Sequence, residues 1–188
     1  MPYFMNEHSQ TEREYRSVIE RCKELFLKKN QDYGASWRIL RLPSITDQIF
    51  IKAQRIRTIQ EKGVSKVPES EASELVGIIN YCVMALIQAE LTDDKRMVFS
   101  TAELSERYDR QMNEVMALLF NKNHDYGEAW RDMRVSSMTD IILMKLFRIK
   151  QIEDNQGQTI VSEGIASGYQ DIINYAVFCL IKLETHKE

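Results

Sequence analysis

Apolar residues recur along this chain at three- and four-residue spacing, and no long segment alternates polar with apolar in the way a half-buried strand would. The pattern is helical throughout. Near Thr11 a capping box with Glu14 opens a helix whose apolar stripe runs through Tyr15, Val18, Ile19, Cys22, Leu25 and Phe26; Ser100 with Glu103 opens a counterpart through Leu104, Tyr108, Met112, Val115, Met116 and Leu119. Each first helix ends at Asp-Tyr-Gly, where glycine takes the positive φ that stops a helix, and a short Trp-containing segment follows. Second helices are expected from about Ile45 to Glu61 and Met138 to Glu153, with Ser44 or Thr46 and Ser137 or Thr139 as caps and Gly63 and Gly157 as stops. The third, roughly Ser70 to Glu90 and Ile165 to Glu184, are apolar on nearly every face and belong at the buried centre.

The letters repeat along with the pattern. Asn30-Gln31-Asp32-Tyr33-Gly34-Ala35-Ser36-Trp37-Arg38 returns as Asn123-His124-Asp125-Tyr126-Gly127-Glu128-Ala129-Trp130-Arg131, and Ile78-Ile79-Asn80-Tyr81 returns unchanged at Ile172-Ile173-Asn174-Tyr175. Residues 1–91 therefore form a first unit and 101–188 a second, joined across 92–100 by the charged run Thr92-Asp93-Asp94-Lys95-Arg96. Two three-helix units, each with a wide apolar face, predict one all-α bundle about a pseudo-two-fold axis.

Composition narrows the setting. At 188 residues, 44% hydrophobic and 28% charged, the chain can bury a real core, and a net charge of -3 argues against broad non-specific binding to nucleic acid. A local basic pocket, and with it a nucleic-acid partner, stays open. The first residues are too short for a signal-peptide core, and the longest uncharged run, Leu75 to Ala89, falls short of a membrane span; the expectation is a cytoplasmic protein without a membrane partner. Cys22, Cys82 and Cys179 occupy apolar helical positions and do not correspond between the copies, so they read as small core residues.

Three chemical types recur together. The acidic set is Asp32, Asp47 and Glu69, answered by Asp125, Asp140 and Glu163, with Asp171 added in the second copy. Glu163 and Asp171 lie at i and i+8 on one slowly drifting helix face, where two carboxylates suit Mg²⁺ completed by water and substrate phosphate. Asp171 sits in the most apolar stretch, so it requires a cation or strong donors, whether as a catalytic or metal-holding group or in a structural ion pair. The basic set is Arg38, Arg41, Lys52 and Arg55, answered by Arg131, Arg134, Lys145 and Arg148; lysine and arginine one turn apart suit a polyphosphate, and equally suit the nearby aspartates. The aromatic set, Tyr33 and Trp37 with Tyr126 and Trp130, suits stacking on a base or capping a helix junction. No histidine is required by both copies, and no phosphate-cradling glycine loop or nucleophile elbow is present.

The string Lys-Asn-x-Asp-Tyr-Gly-x-x-Trp, then Asp-x-x-x-x-Lys-x-x-Arg-Ile, then a helix ending in Ile-Ile-Asn-Tyr, resembles the nucleotide modification associated domain 1 family in both copies. More distantly, three-helix units with acids on two helices resemble the MazG-like all-α nucleoside-triphosphate pyrophosphatases, which hold Mg²⁺ on Glu-x-x-Glu and Glu-x-x-Asp. Here the second motif is split: Glu74 precedes Gly77 in copy one, and Gly168 precedes Asp171 in copy two. What the resemblance implies is a Mg²⁺-dependent protein that takes a small-molecule nucleotide and hydrolyses a deoxy or modified triphosphate, centred on Asp171. The rivals are a non-catalytic nucleotide or nucleic-acid binding module and a helical scaffold of structural ion pairs; a homo-oligomer is left open.

Overall fold

The computed structural model describes residues 3–63, 70–126, 128–160 and 163–185, with side chains among them outside 3–9 and 122–127. Six helices follow in order: α1 (Tyr3–Tyr33), α2 (Leu42–Lys62), α3 (Glu71–Glu90), α4 (Thr101–Tyr126), α5 (Val135–Asp154) and α6 (Ile165–Thr185), with single 3-10 turns at Ser36–Ile39 and Ala129–Asp132. Among the described residues there is no strand. Helices α2, α3, α6 and α5 pack in a ring, while α1 and α4 pack on each other and across α3 and α6. The apolar third helices are central, as their composition requires. By length and composition α3 would also suit a membrane span, but here it lies inside the bundle.

Local signals place some ends and misplace others. Gly34 and Gly63 both stop their helices at φ +68, and the Ser70 and Ser100 hydroxyls accept from the Ser73 and Glu103 amides. Thr11, however, is no cap. Helix α1 runs through it from Tyr3, and its buried hydroxyl donates to Glu128 and accepts from Arg131 at 2.7 Å. Helices α2 and α5 begin at Leu42 and Val135, ahead of the expected Ile45 and Met138, with Arg41 and Arg134 at the cap positions. Pro43 is compatible with this start of α2, because a first turn tolerates its missing N–H, and α5 begins at the matching position without a proline. Helix α5 stops at Asp154, before Gly157, whose amide then reaches back to the Ile152 carbonyl at 2.8 Å.

What would have been caps are instead pins between the copies. The Thr46 hydroxyl lies 2.7 Å from Glu153 Oε1 and 2.7 Å from Tyr169 Oη, while Gln60, which corresponds to Glu153, donates to Thr139 at 3.1 Å. The repeated asparagines do the same: Tyr15 of α1 donates to Asn174 at 2.7 Å, and Tyr108 of α4 donates to Asn80 at 2.9 Å. Asn80 also donates to the Cys22 carbonyl at 3.0 Å. Each asparagine thus receives a hydroxyl from the first helix of the other copy, which accounts physically for the repetition of Ile-Ile-Asn-Tyr.

Two groups carry consequences for solution behaviour. Burial pushes the Cys22 and Cys179 thiols up to about 12 and Cys82 well above its usual range, so all three are inert thiols. Burial also raises the Glu153 carboxyl, with the Thr46 hydrogen bond opposing and Asp47 and Asp154 reinforcing. The folded state therefore keeps this proton where the unfolded chain has lost it, and stability is lost as pH rises from the unfolded carboxylate range through the folded value. Glu153→Gln, which installs the copy-one residue, is expected to raise Tm by about 1–2 °C at pH 8, half-exposure screening most of the charge effect, and to leave it unchanged at pH 4. Scanning calorimetry at the two pH values decides this; an equal shift at both would refute the ionisation argument.

Candidate functional site

The register of α5 against α6 decides which charges meet. Lys145 and Arg148 stand one turn apart on α5; opposite them lie Glu163 and Gly164, just ahead of α6, then Gly168 and Asp171 in its first two turns. These residues, with Ile149 and Ile152, enclose a cavity of about 140 Å³. Lys145 Nζ donates to Asp171 Oδ2 at 2.9 Å, the lysine side chain being 18% and the aspartate 28% exposed. Asp171 therefore has its cation but is not fully buried. Arg148 is exposed and, among the described residues, makes no hydrogen bond or ion pair. The cavity also meets the start of a 21-residue helix, whose N-terminal amides and dipole favour negative charge.

Why α6 comes so close is visible at Gly168. A Cβ there would sit 2.9 Å from both Cδ1 and Cγ1 of Ile149, so a glutamate at this position would require the buried Ile149 side chain to shift. Copy one solves the same crossing the other way. Gly77, the counterpart of Asp171, leaves room for Lys52, whose Cε would lie 2.9 Å from an added Cβ, and the acid sits one turn earlier at Glu74. Glu74 is 3% exposed and paired with Arg55 Nη1 at 2.7 Å and Lys52 Nζ at 3.4 Å; Lys52 also lies over the Tyr81 ring at 5.9 Å. Sequence reasoning passed over Glu74 as a site residue. Its signal was a lone carboxylate leading an otherwise uncharged run.

The other candidates are dispersed. Asp47 pairs with Lys150 at 2.9 Å and Asp140 faces Arg57 at 3.8 Å, corresponding contacts between the copies on exposed surface. Asp32 is exposed at the end of α1. Glu69 and the side chains of Asp125 and Tyr126 lie outside the described residues. Arg38 donates to Gln88 and to the carbonyls of Asp94 and Arg96, fastening the linker; Arg131 donates to Glu128 at 2.8 Å and Glu14 at 3.0 Å, fastening α1. Arg41 and Arg134 are exposed at their helix starts.

The assignment of the tryptophans to base stacking requires correction. Trp130 lies flat on Phe178, with centroids 4.3 Å apart and planes at 8°, and the Arg131 guanidinium stands 4.4 Å from its ring. Trp37 is buried against Phe26 at 6.3 Å. Both rings cap helix junctions and present no face to a ligand. Their turns are secured from the third helices, by Gln88 donating to the Arg38 and Leu40 carbonyls and by Lys182 donating to the Arg131 carbonyl. Of the aromatic set with a described side chain, only Tyr33 is exposed, at 58%.

The quartet of Lys145, Arg148, Glu163 and Asp171 is thus the part of the expected constellation in which candidate acids and candidate cations line one cavity among the described residues; Arg38 and Arg41 line another, beside the linker, without a candidate acid. Those residues also contain no group of three or more His, Cys, Asp or Glu arranged to hold a metal. The donor set fits a magnesium ion carried in on phosphate oxygens, for which two carboxylates and water suffice, better than it fits a resident ion. In comparisons with known proteins, the model of the nucleotide modification associated domain 1 family matches the chain twice, over residues 29–89 and 122–183. No curated protein and no solved structure gives a match.

Proposed function

The chain belongs to the nucleotide modification associated domain 1 family, with two copies in tandem, and from that premise we propose that its second copy binds a Mg²⁺-nucleotide and hydrolyses it in the manner of the MazG-like pyrophosphohydrolases. The substrate class is a deoxy or modified nucleoside triphosphate, split to the monophosphate and pyrophosphate. The observation that carries the reading is the convergence of Lys145, Arg148, Glu163 and Asp171 on one cavity at a helix N-terminus. Arg148 offers the planar fork that grips phosphate oxygens in pairs, and Lys145 adds a point charge held in place by Asp171. Glu163 and Asp171 are the carboxylates toward which magnesium would be directed. When bound, the ion supplies neutralisation of phosphate charge and a water of lowered pKa.

Copy one does not share this role. Glu74, its carboxylate at the crossing, is already neutralised by Lys52 and Arg55 inside the bundle.

Pyrophosphate release from a panel of nucleoside triphosphates with Mg²⁺ tests the proposal. Activity is expected from the full chain, with kcat/KM reduced about 100-fold or more by Asp171→Asn. Absence of release, or release indifferent to that substitution, would sink it. The 2.9 Å Lys145–Asp171 contact favours a second reading, a non-catalytic nucleotide-binding module, because it engages an oxygen that magnesium would share. Nucleotide binding that survives chelation, without pyrophosphate release, would select that alternative.

A further inference from the structure

The charged cavity adjoins a larger, more open hollow of about 410 Å³, the two sharing Arg148 and Ile152. Phe147 and Ile160 form its apolar wall, and Gln151, Asn155 and Gln158 bring amide groups to its rim. Phe147 is 64% exposed and Ile160 wholly so, although the buried stripe of α5 runs through Met138, Ile142, Leu146 and Ile149. A large aromatic ring beside that stripe gains nothing from the core. Copy one, whose Arg55 matches Arg148, carries Gln54 at the position of Phe147. The exposed ring therefore occurs in the copy that has the cavity, and next to its uncommitted arginine.

On the nucleotide reading given above, we propose that this hollow receives the planar heteroaromatic base, stacked on Phe147, while the phosphates lie at Lys145 and Arg148. The chemistry matches at both ends. An exposed π-face accepts any base, and the amides supply donors and acceptors for base edges; the Asn155 amide donates to the Gln158 carbonyl at 3.0 Å, which orders that part of the rim. The shared Arg148 fixes the spacing, since the anionic and aromatic parts of one ligand must be joined there. A hollow of this size falls within the roughly 300–1,000 Å³ of small-molecule pockets. Phe147 is accordingly the base-stacking residue that the two tryptophans are not.

Calorimetric titration of the full chain with inorganic tripolyphosphate and with the α,β-imido analogues of the four common deoxynucleoside triphosphates tests this. The nucleotides are expected to bind at least about tenfold tighter than tripolyphosphate, the increment that one stacked base supplies. Phe147→Ala should erase most of that increment and leave tripolyphosphate affinity unchanged; Phe147→Trp should retain it; Arg148→Ala should weaken every probe. If the nucleotides bind but their advantage survives Phe147→Ala, the base placement is overturned and the nucleotide reading stands. If none of the probes binds the wild-type chain, both fall. An unchanged nucleotide advantage in Phe147→Ala, accompanied by a shift from dimer to monomer on sedimentation, would assign the exposed ring to a second copy of the chain and also overturn the proposal.

Discussion

Replacing Lys52 and Arg55 together by methionine is expected to destabilise the fold by about 3–5 kcal/mol, whereas Arg148→Met, at the position matching Arg55, should change stability by less than about 0.5 kcal/mol. The difference follows from what each cation faces. Glu74 is 3% exposed, with Arg55 at 2.7 Å and Lys52 at 3.4 Å, so removing both leaves a buried carboxylate without these two partners. Arg148 is exposed and makes no ion pair among the described residues. Urea unfolding monitored through the two buried tryptophans measures both variants. A triple variant that also carries Glu74→Met should recover most of the lost stability, because the cost arises from the orphaned charge and not from the missing lysine and arginine themselves. A double-variant loss under 1 kcal/mol would mean that the Glu74 cluster is not an internal ion pair, and the structural role of copy one would be withdrawn. Arginines that look equivalent in sequence are thereby assigned to opposite duties.

That contrast also marks how far the sequence could be read. Helix type and number, the central place of the third helices and the two-copy architecture were legible because they depend on periodicity, which every residue in a stripe reports. Chemistry was harder to read, because repetition is ambiguous between a shared site and a shared joint. Trp37 and Trp130 recur because both copies need a ring wedged under the same turn, and Asn80 and Asn174 because both accept a tyrosine hydroxyl across the joint. Thr11 and Glu14 have the letters of a capping box yet serve Arg131, a partner far along the chain that no local rule reveals. Asp47 and Asp140 likewise find Lys150 and Arg57 only once α2 is set against α5. Lys145, Arg148 and Glu163 recur in both copies, so what set the second copy apart was legible only where the copies differ, at Gly168 and Asp171 against Glu74 and Gly77. Phe147 was overlooked for a related reason: one aromatic residue in a helix rich in apolar side chains looks like core until the register shows it outside.

The same cross-copy contacts predict that residues 1–91 and 92–188, produced separately, will not fold as monomers, and that mixing them will restore a one-to-one complex with the helicity of the intact chain. Helix α1 is fastened to α6 by Tyr15 and Asn174, and α4 to α3 by Tyr108 and Asn80; the second helices meet through Thr46–Glu153, Thr139–Gln60, Asp47–Lys150 and Asp140–Arg57. Each half alone would expose the faces of α2 and α3, or of α5 and α6, that now close the central ring, and would leave the half-buried Asn174 and the buried Asn80 short of a donor, at about 1–3 kcal/mol for Asn80. Conformational entropy is no smaller per residue in a half-length chain, and its attainable burial is lower, so such losses exceed the margin that a domain of this size keeps. Circular dichroism and sedimentation of the two halves, apart and mixed, provide the readout. Cooperative thermal unfolding from either half as a monomer would show that the copies are independent domains and that the cross-copy bonds are incidental. A self-associated first half is compatible with the interlock, since Tyr15 and Asn80 could then pair across two copies of the same unit as they now do with their counterparts, and its dimeric mass separates it from the refuting outcome. Joined in one chain, the halves need no concentration to find each other, which lets one crossing keep its ion pair buried while the other keeps its cavity open.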